Sequence, residues 1–304
     1  MTPALAAVLA QWHAELDRHL ESRLPCSALR GAGALNEAVR YAVFPGGRRW
    51  RPALTLLGAA AADTPARLVM DAACGVEFVH TASLILDDLP SMDDGRERRG
   101  RPTLHLAFGE GLALLAALAL LNRGYELFLT PVSGVDPAHG QRLLRDAISA
   151  IGVNGMIGGQ AADLAHAGRP PLASRDRKTT TLVSFAAAAG AIAGGAEEEA
   201  VAALARYGAS LGSAYQMLDD LLDEDVDGTD TKTSGQDARH GRPSWAAIAS
   251  REGVRAAAAA AHEEARAAIL STFGHRAEAA LLLDAAAAIL DLTGRPAVAV
   301  SARG

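Results

Sequence analysis

Residues 77–94 read Glu77-Phe78-Val79-His80-Thr81-Ala82-Ser83-Leu84-Ile85-Leu86-Asp87-Asp88-Leu89-Pro90-Ser91-Met92-Asp93-Asp94. On a helical wheel Glu77, His80, Ser83 or Leu84, and Asp87 fall on one stripe, so an apolar helix body runs straight into an acid pair. Pro90 cannot continue the hydrogen-bond ladder, so Asp93 must be brought back by an irregular turn and not by helical register. A second cluster, Asp219-Asp220-Leu221-Leu222-Asp223, lies far downstream. There Gln216, Asp219, Asp220 and Asp223 are spaced i, i+3, i+4 and i+7, a polar stripe set against Leu211, Tyr215, Leu218 and Leu222. Either acid pair alone reads more readily as a solvated helix end. Two such clusters, each ending an apolar helix, ask for something positive between them, because crowded carboxylates raise one another's pKa and resist desolvation. Oxygen-only donors, with no His or Cys beside them, suit magnesium, which binds through one or two carboxylates plus substrate phosphates. The pattern predicts a metal-diphosphate site.

The rest of the chain points to helices. Alanine, the best helix former, dominates residues 255 to 289, and alternating β-branched runs bounded by turns are absent, so the expected fold is all-α. Residues 3 to 20 form an amphipathic opening helix, Pro45-Gly46-Gly47 breaks a helix that begins near Leu35, and Pro52 suits the first turn of the next. Further turns are expected at Thr130 to Gly140, Ala167 to Ser174 and Asp225 to Pro243. No linker divides the 304 residues, so one domain over 1–304 is expected.

Charge and composition exclude several function classes. The net charge is -6, yet residues 87–94 and 219–230 hold 11 of the 35 acids, so the remainder is mildly positive. With 4% aromatics and no basic run interleaved with aromatics, no nucleic-acid partner is expected. Cys26 and Cys74 are the two cysteines and form no metal or disulfide pattern, which fits a reducing cytoplasm. The apolar run Leu112 to Leu121 is too short to span a bilayer, so no transmembrane segment is expected. The N-terminus lacks the basic segment of a signal peptide.

Cations stand opposite the acids. Gly46-Gly47-Arg48-Arg49-Trp50-Arg51-Pro52 sets three arginines beside glycines at a helix start, where backbone N–H groups and guanidinium forks favour phosphate. Arg98-Arg99-Gly100-Arg101-Pro102 repeats the theme directly after the first acid cluster, and Lys178 and Lys232 stand apart. Surface charge explains either run alone. His80 alone reads as a core histidine, and Gln160 with Asp163 as a helix cap. One pattern misleads: Asp223-Glu224-Asp225-Val226-Asp227-Gly228 opens like a calcium loop, but position 12 is Ser234 where a bidentate Glu is required.

These residues resemble the trans-isoprenyl diphosphate synthases (polyprenyl synthetases), and most closely the bacterial carotenoid-type geranylgeranyl diphosphate synthases. The resemblance rests on Gly46 to Pro52, on Glu77 to Leu86 leading into the first acid cluster, on Arg98-Arg99-Gly100, on Gly159-Gln160-Ala161-Ala162-Asp163-Leu164, on Lys178-Thr179 and on Tyr215-Gln216-Met217-Leu218-Asp219-Asp220. It implies a helical bundle around a deep central cavity, paired as a homodimer, and three Mg2+ ions per active site, for which Mn2+ can substitute. Asp87, Asp93 and Asp219 would be direct metal ligands, supported by Asp88, Asp94, Asp220 and Asp223. Arg98, Lys178 and Lys232 would hold the allylic diphosphate; Arg48, Arg51, His80 and Arg99 would hold isopentenyl diphosphate. Gln160, Asp163, Thr179 and Gln216 would line the reacting region. Arg48 and Arg242 stand where many relatives carry lysine, and a guanidinium hydrogen-bonds differently from an ammonium.

The implied activity is Mg2+-assisted condensation of isopentenyl diphosphate with an allylic diphosphate. The expected product is geranylgeranyl diphosphate (C20), because the chain-length positions five and four before Asp87 are the small Ala82 and Ser83. Farnesyl diphosphate (C15) synthase, class I terpene cyclase and non-catalytic partner of a heteromeric synthase are the alternatives. The second aspartate cluster argues against a cyclase, and the intact first cluster against a non-catalytic partner.

Overall fold

The computed structural model describes residues 1–164, 176–225, 245 and 249–293, without the side chains of 223–225 and 292–293. Lys232, Arg242, the Asp223 side chain and the calcium-like loop, with the turns expected over 167–174 and 226–243, lie outside the described residues. The chain is built of helices: α1 (Pro3–Arg23), α2 (Gly33–Val43), α3 (Trp50–Ala61), α4 (Met70–Asp87), α5 (Leu104–Phe108), α6 (Glu110–Phe128), α7 (Ala138–Ile151), α8 (Met156–Leu164), α9 (Arg177–Ala193), α10 (Glu198–Asp225), α11 (Arg251–Phe273) and α12 (Ala277–Thr293). Among the described residues the strands are two residues each, Glu97–Arg98 paired antiparallel with Arg101–Pro102. The fold is all-α, as the sequence predicts.

Helix α4 is the centre of the bundle. From Ala72 to Val79 every residue is buried, including Glu77, so α4 is apolar nearly all round, the mark of a core helix. It packs against α1, α3, α6 and α9. Small residues bring the backbones close: a Cβ on Gly58 of α3 would lie 2.1 Å from the carbonyl of Ala187 on α9, and one on Gly190 of α9 would lie 2.1 Å from the carbonyl of Thr55. The Thr55 hydroxyl donates to Ala186 O at 2.8 Å across the same crossing. The alanine-rich C-terminal region forms α11 and α12, separated at Gly274 (φ 62°), with Ser250 capping α11 by accepting from Gly253 N. Helix α6 is 19 residues long and, by length and composition, the one described helix apolar enough to cross a membrane. Its Ala113, Ala116, Ala117, Leu120 and Gly124 are buried against the bundle, whereas Leu114, Leu115 and Leu118 are 43%, 52% and 60% exposed.

One ion pair joins the glycine turn to this core. Arg49, in the left-handed region at φ 52°, sends its guanidinium onto Glu77 of α4, and both side chains are 2% exposed. The same guanidinium meets Asp17 of α1 at 3.2 Å and donates to Val43 O at 2.9 Å. Gly46 permits this path, since a Cβ there would lie 2.1 Å from Arg49 Cζ. Removing one partner of a buried pair strands the other charge, so Glu77→Leu should lower the unfolding free energy by about 3–5 kcal/mol. The double substitution Arg49→Met/Glu77→Leu should recover most of that loss. Urea unfolding checks this; equal losses in single and double variants would mean that packing, not charge, is what Glu77 supplies.

Candidate active site

Helix α4 delivers the first acids. After Asp87 the chain turns back on itself: Asp93 N–H donates to Asp87 O at 2.9 Å and Asp94 N–H to Leu89 O at 3.1 Å, which returns Asp93 beside Asp87. The two members of the first pair then part company. Asp88 is 3% exposed and accepts from Arg98 at both oxygens, Nε at 2.6 Å and Nη2 at 2.8 Å, a bidentate grip that ties the 97–102 hairpin to the end of α4. Asp87 faces Lys178, whose Nζ lies 3.2 Å from Oδ2. Burial raises the Asp87 pKa; Lys178 opposes that shift and Asp93 adds to it. Burial lowers the Arg98 pKa, but its hydrogen bond and charge contact with Asp88 outweigh this and leave it raised.

The second cluster reaches the first through α9. Lys178 and Thr179 are neighbours in its first turn. Lys178 meets Asp87, while the Thr179 hydroxyl donates to Gln216 Oε1 at 2.9 Å and Gln216 Nε2 donates to Asp220 Oδ1 at 2.8 Å, both on α10. Two adjacent residues thus connect the two acid clusters. Asp220, 6% exposed, also accepts from Trp245 N at 2.9 Å, so it parallels Asp88 as an anchor, while Asp219 is half-buried. Among the described residues, no three acid, His or Cys side chains gather closely enough to hold a metal ion by themselves.

The basic residues divide likewise. Arg51 lies in the first turn of α3, and its Nη1 is 3.2 Å from His80 Nε2, while its buried Nε has no acceptor. Arginine can only donate, so His80 accepts at Nε2 and carries its proton on Nδ1. Burial, followed by the charges of Arg51, Arg99, Arg98 and Arg49, pushes the His80 pKa well below its ordinary value. Burial lowers the pKa of Arg51 and Arg99 too. Arg99 (φ 56°) lies over Gly47, where a Cβ would come within 3.0 Å of its Nη2. Arg48 is exposed and lines a separate cleft with Leu9, His13 and Trp50, so the structure does not bring it to the Arg51–His80 pair. Gln160 of α8 donates to Met92 Sδ at 3.7 Å within the acid turn, and its Oε1 is buried without a partner; Asp163 is buried one turn further on. Ala82 is 3% exposed, and Ser83 is half-buried with its hydroxyl donating to His80 O at 2.8 Å.

Some residues of the site escape sequence reasoning. Asp176 is 9% exposed and accepts from Trp245 Nε1 at 3.2 and 3.3 Å, holding the residue that itself holds Asp220. An acid just before Arg177-Lys178 reads as an ordinary helix start, so nothing local flags it. Glu77 and Arg49 likewise belong to motifs but act as their support.

The bundle and the two facing acid clusters define a class. Residues 32–287 match the sequence pattern of the polyprenyl synthetases, and the chain belongs to that family. It is 39% identical over 235 residues to the geranylgeranyl diphosphate synthase of Pantoea ananas, covering 74% of this chain and 75% of that one. It is 36% identical over 231 residues to the farnesyl diphosphate synthase of Bacillus subtilis, covering 73% and 77%. The crystal structure of an FPP/GFPP synthase from Zymomonas mobilis superposes with a TM-score of 0.83 at 31% identity, covering 95% of this chain and all of that one.

The pKa of His80 carries a stability prediction. Its folded value is depressed, so the unfolded chain binds a proton near pH 6.5 that the folded chain refuses. Stability is full above about pH 6.5 and is lost as pH falls from there through the folded pKa. His80→Gln, which can still accept from Arg51, should flatten that part of the stability curve. Thermal unfolding of both proteins between pH 7.5 and 5 checks it; parallel curves would show that His80 titrates alike in both states.

Proposed function

We propose that this chain joins isopentenyl diphosphate to an allylic diphosphate and that its main product is geranylgeranyl diphosphate. The observation that carries the reading is the bridge between the two carboxylate clusters, in which Lys178 meets Asp87 and its neighbour Thr179 reaches Asp220 through Gln216. An ammonium 3.2 Å from Asp87 marks a position that favours positive charge. The donors there are hard oxygens, which fits Mg2+, with Mn2+ as a substitute. Asp87, Asp93 and Asp219 would hold the ions, with Asp88, Asp94, Asp220 and Asp223 behind them. Bound ions would neutralise charge on the allylic diphosphate as its C1–O bond breaks.

The chain's own residues do the rest. Arg98, oriented by Asp88, and Lys178 bind the allylic diphosphate and stabilise it as a leaving group, with Lys232 as a further proposed contact. Arg51, with a donor to spare, and neutral His80 receive isopentenyl diphosphate together with Arg99; Arg242 is a further proposed substrate contact, and Arg48, in its separate cleft, stands outside this set. Gln216 and Thr179 line the reacting carbons and hold α9 to α10. The allylic cation is attacked by the double bond of isopentenyl diphosphate; a C–C bond forms, and a proton leaves to the departed diphosphate. Apolar walls keep water from the cation. No side-chain nucleophile is required.

Small side chains at Ala82 and Ser83 support C20 over C15, since a ring at either position would narrow the space below Asp87. The main core cluster, which draws on both ends of the described chain from Leu5 to Ile289 and lies beside a smaller one of Ala214, Met217, Leu221, Val254, Ala258 and Ala261, supports one catalytic domain, and two free thiols at Cys26 and Cys74 support a cytoplasmic setting. The exposed leucines of α6 support a homodimer through that face.

Asp87→Ala and Asp219→Ala should each lower turnover by about a hundredfold or more, the scale of losing one electrostatic partner of the transition state. Chelation of divalent ions should abolish wild-type turnover, and Mg2+ or Mn2+ should restore it. Unchanged turnover in both variants would remove the assignment. Separately, Leu115→Lys/Leu118→Glu should halve the mass seen by light scattering; an unchanged mass would place the interface elsewhere.

A further inference from the structure

Phe128 ends α6 and is 1% exposed; it meets Phe185 of α9 edge-on, with ring centroids 5.3 Å apart and planes at 84°. Its ring also fills the space beside Gly75 of α4, where a Cβ would lie 2.7 Å from Phe128 Cε1. Helices α4, α6 and α9 are therefore closed against one another at this level by two aromatic rings. Helix geometry fixes the level. Gly75 precedes Asp87 by twelve residues, about 18 Å at about 1.5 Å each. Phe185 follows Lys178 by seven residues, two turns along the face whose lysine reaches Asp87.

Space lies on the far side of the rings. A cavity of about 160 Å³ is walled by Phe128, Met70, Val132, Leu143 and the ion pair of Arg23 with Asp71, whose Nε and Oδ1 are 2.7 Å apart. We propose that Phe128 is the floor against which the growing prenyl chain stops, and that this cavity is a latent subsite for one more five-carbon unit. The inference rests on the prenyl-transfer reading above and adds the residue that limits its product. An extended chain advances about 1.2 Å per bond, judged from about 3.3–3.6 Å for the three backbone bonds of a residue, so one isoprene unit with four such bonds takes about 5 Å. At about 5 Å each, four units match the rise of about 18 Å along α4 from Asp87 back to Gly75, beside which the Phe128 ring packs. A fifth meets the ring. Past it, the Arg23–Asp71 pair forms a polar wall that a sixth unit would have to strip of solvent, so growth beyond one added unit is disfavoured.

The test gives wild type, Phe128→Ala and Phe128→Leu isopentenyl diphosphate with a farnesyl diphosphate primer and sizes the dephosphorylated products by chromatography. Phe128→Ala should make as its main product a chain five carbons longer than that of wild type, raising its share tenfold or more. Phe128→Leu should give a smaller rise in the same species. If Phe128→Ala loses its cooperative thermal transition, Phe128→Leu carries the comparison, because leucine keeps most of the packing. Folded variants that stop where wild type stops overturn the floor assignment alone. A wild-type chain that consumes no isopentenyl diphosphate overturns the proposed function and this subsite with it.

Discussion

The buried pairing of Arg49 with Glu77 is the constraint on which the rest of the site is arranged. Two charges with almost no exposure are tolerated in a core because each supplies the other's counter-charge, and because Asp17 and Val43 O take up further guanidinium donors. That pair locks the turn between α2 and α3 onto the middle of α4, with Arg49 held in a left-handed conformation. With the turn fixed, α3 starts where Arg51 meets His80, and Gly47 lies bare beneath Arg99. One ion pair thereby decides where two other cations, Arg51 and Arg99, stand.

Both acid pairs divide their work in the same manner. The second member of each, Asp88 and Asp220, is buried and anchored, the one by Arg98 and the other by Gln216 and Trp245. The first member, Asp87 or Asp219, is half-buried. An anchored carboxylate cannot swing away, so it holds its neighbour at a defined position on the helix end. The anchor of Asp88 also aims a guanidinium, so one acid both stiffens the turn and positions a cation. Charge near the site is thus balanced locally before any substrate is considered.

Close backbone approach makes this arrangement rigid. Glycines and alanines on α3 and α9 bring those helices near enough for carbonyl oxygens to sit where a Cβ would otherwise be. Helix α9 inherits its position from that crossing. Lys178 and Thr179 at its start can then reach α4 and α10 together.

Much of this was legible in the chain. Alanine content and helical spacing determined the all-α fold, and two acid clusters at the ends of apolar helices determined the kind of chemistry, because spacing along one helix is a local property. Pro90 likewise required that an irregular turn return Asp93 to Asp87. The sequence could not reveal that Asp88 and Asp220 would be anchors while their neighbours face the site, since adjacent residues differ only in which helix happens to pack beside them. Nor could it show that Glu77, on the same stripe as Asp87, would point to Arg49, or that Asp176 would hold Trp245, or that Phe128 would meet Phe185 beneath Gly75. Those contacts join residues distant in the chain, and side-chain partners across such distances exist only once tertiary packing has brought the helices together.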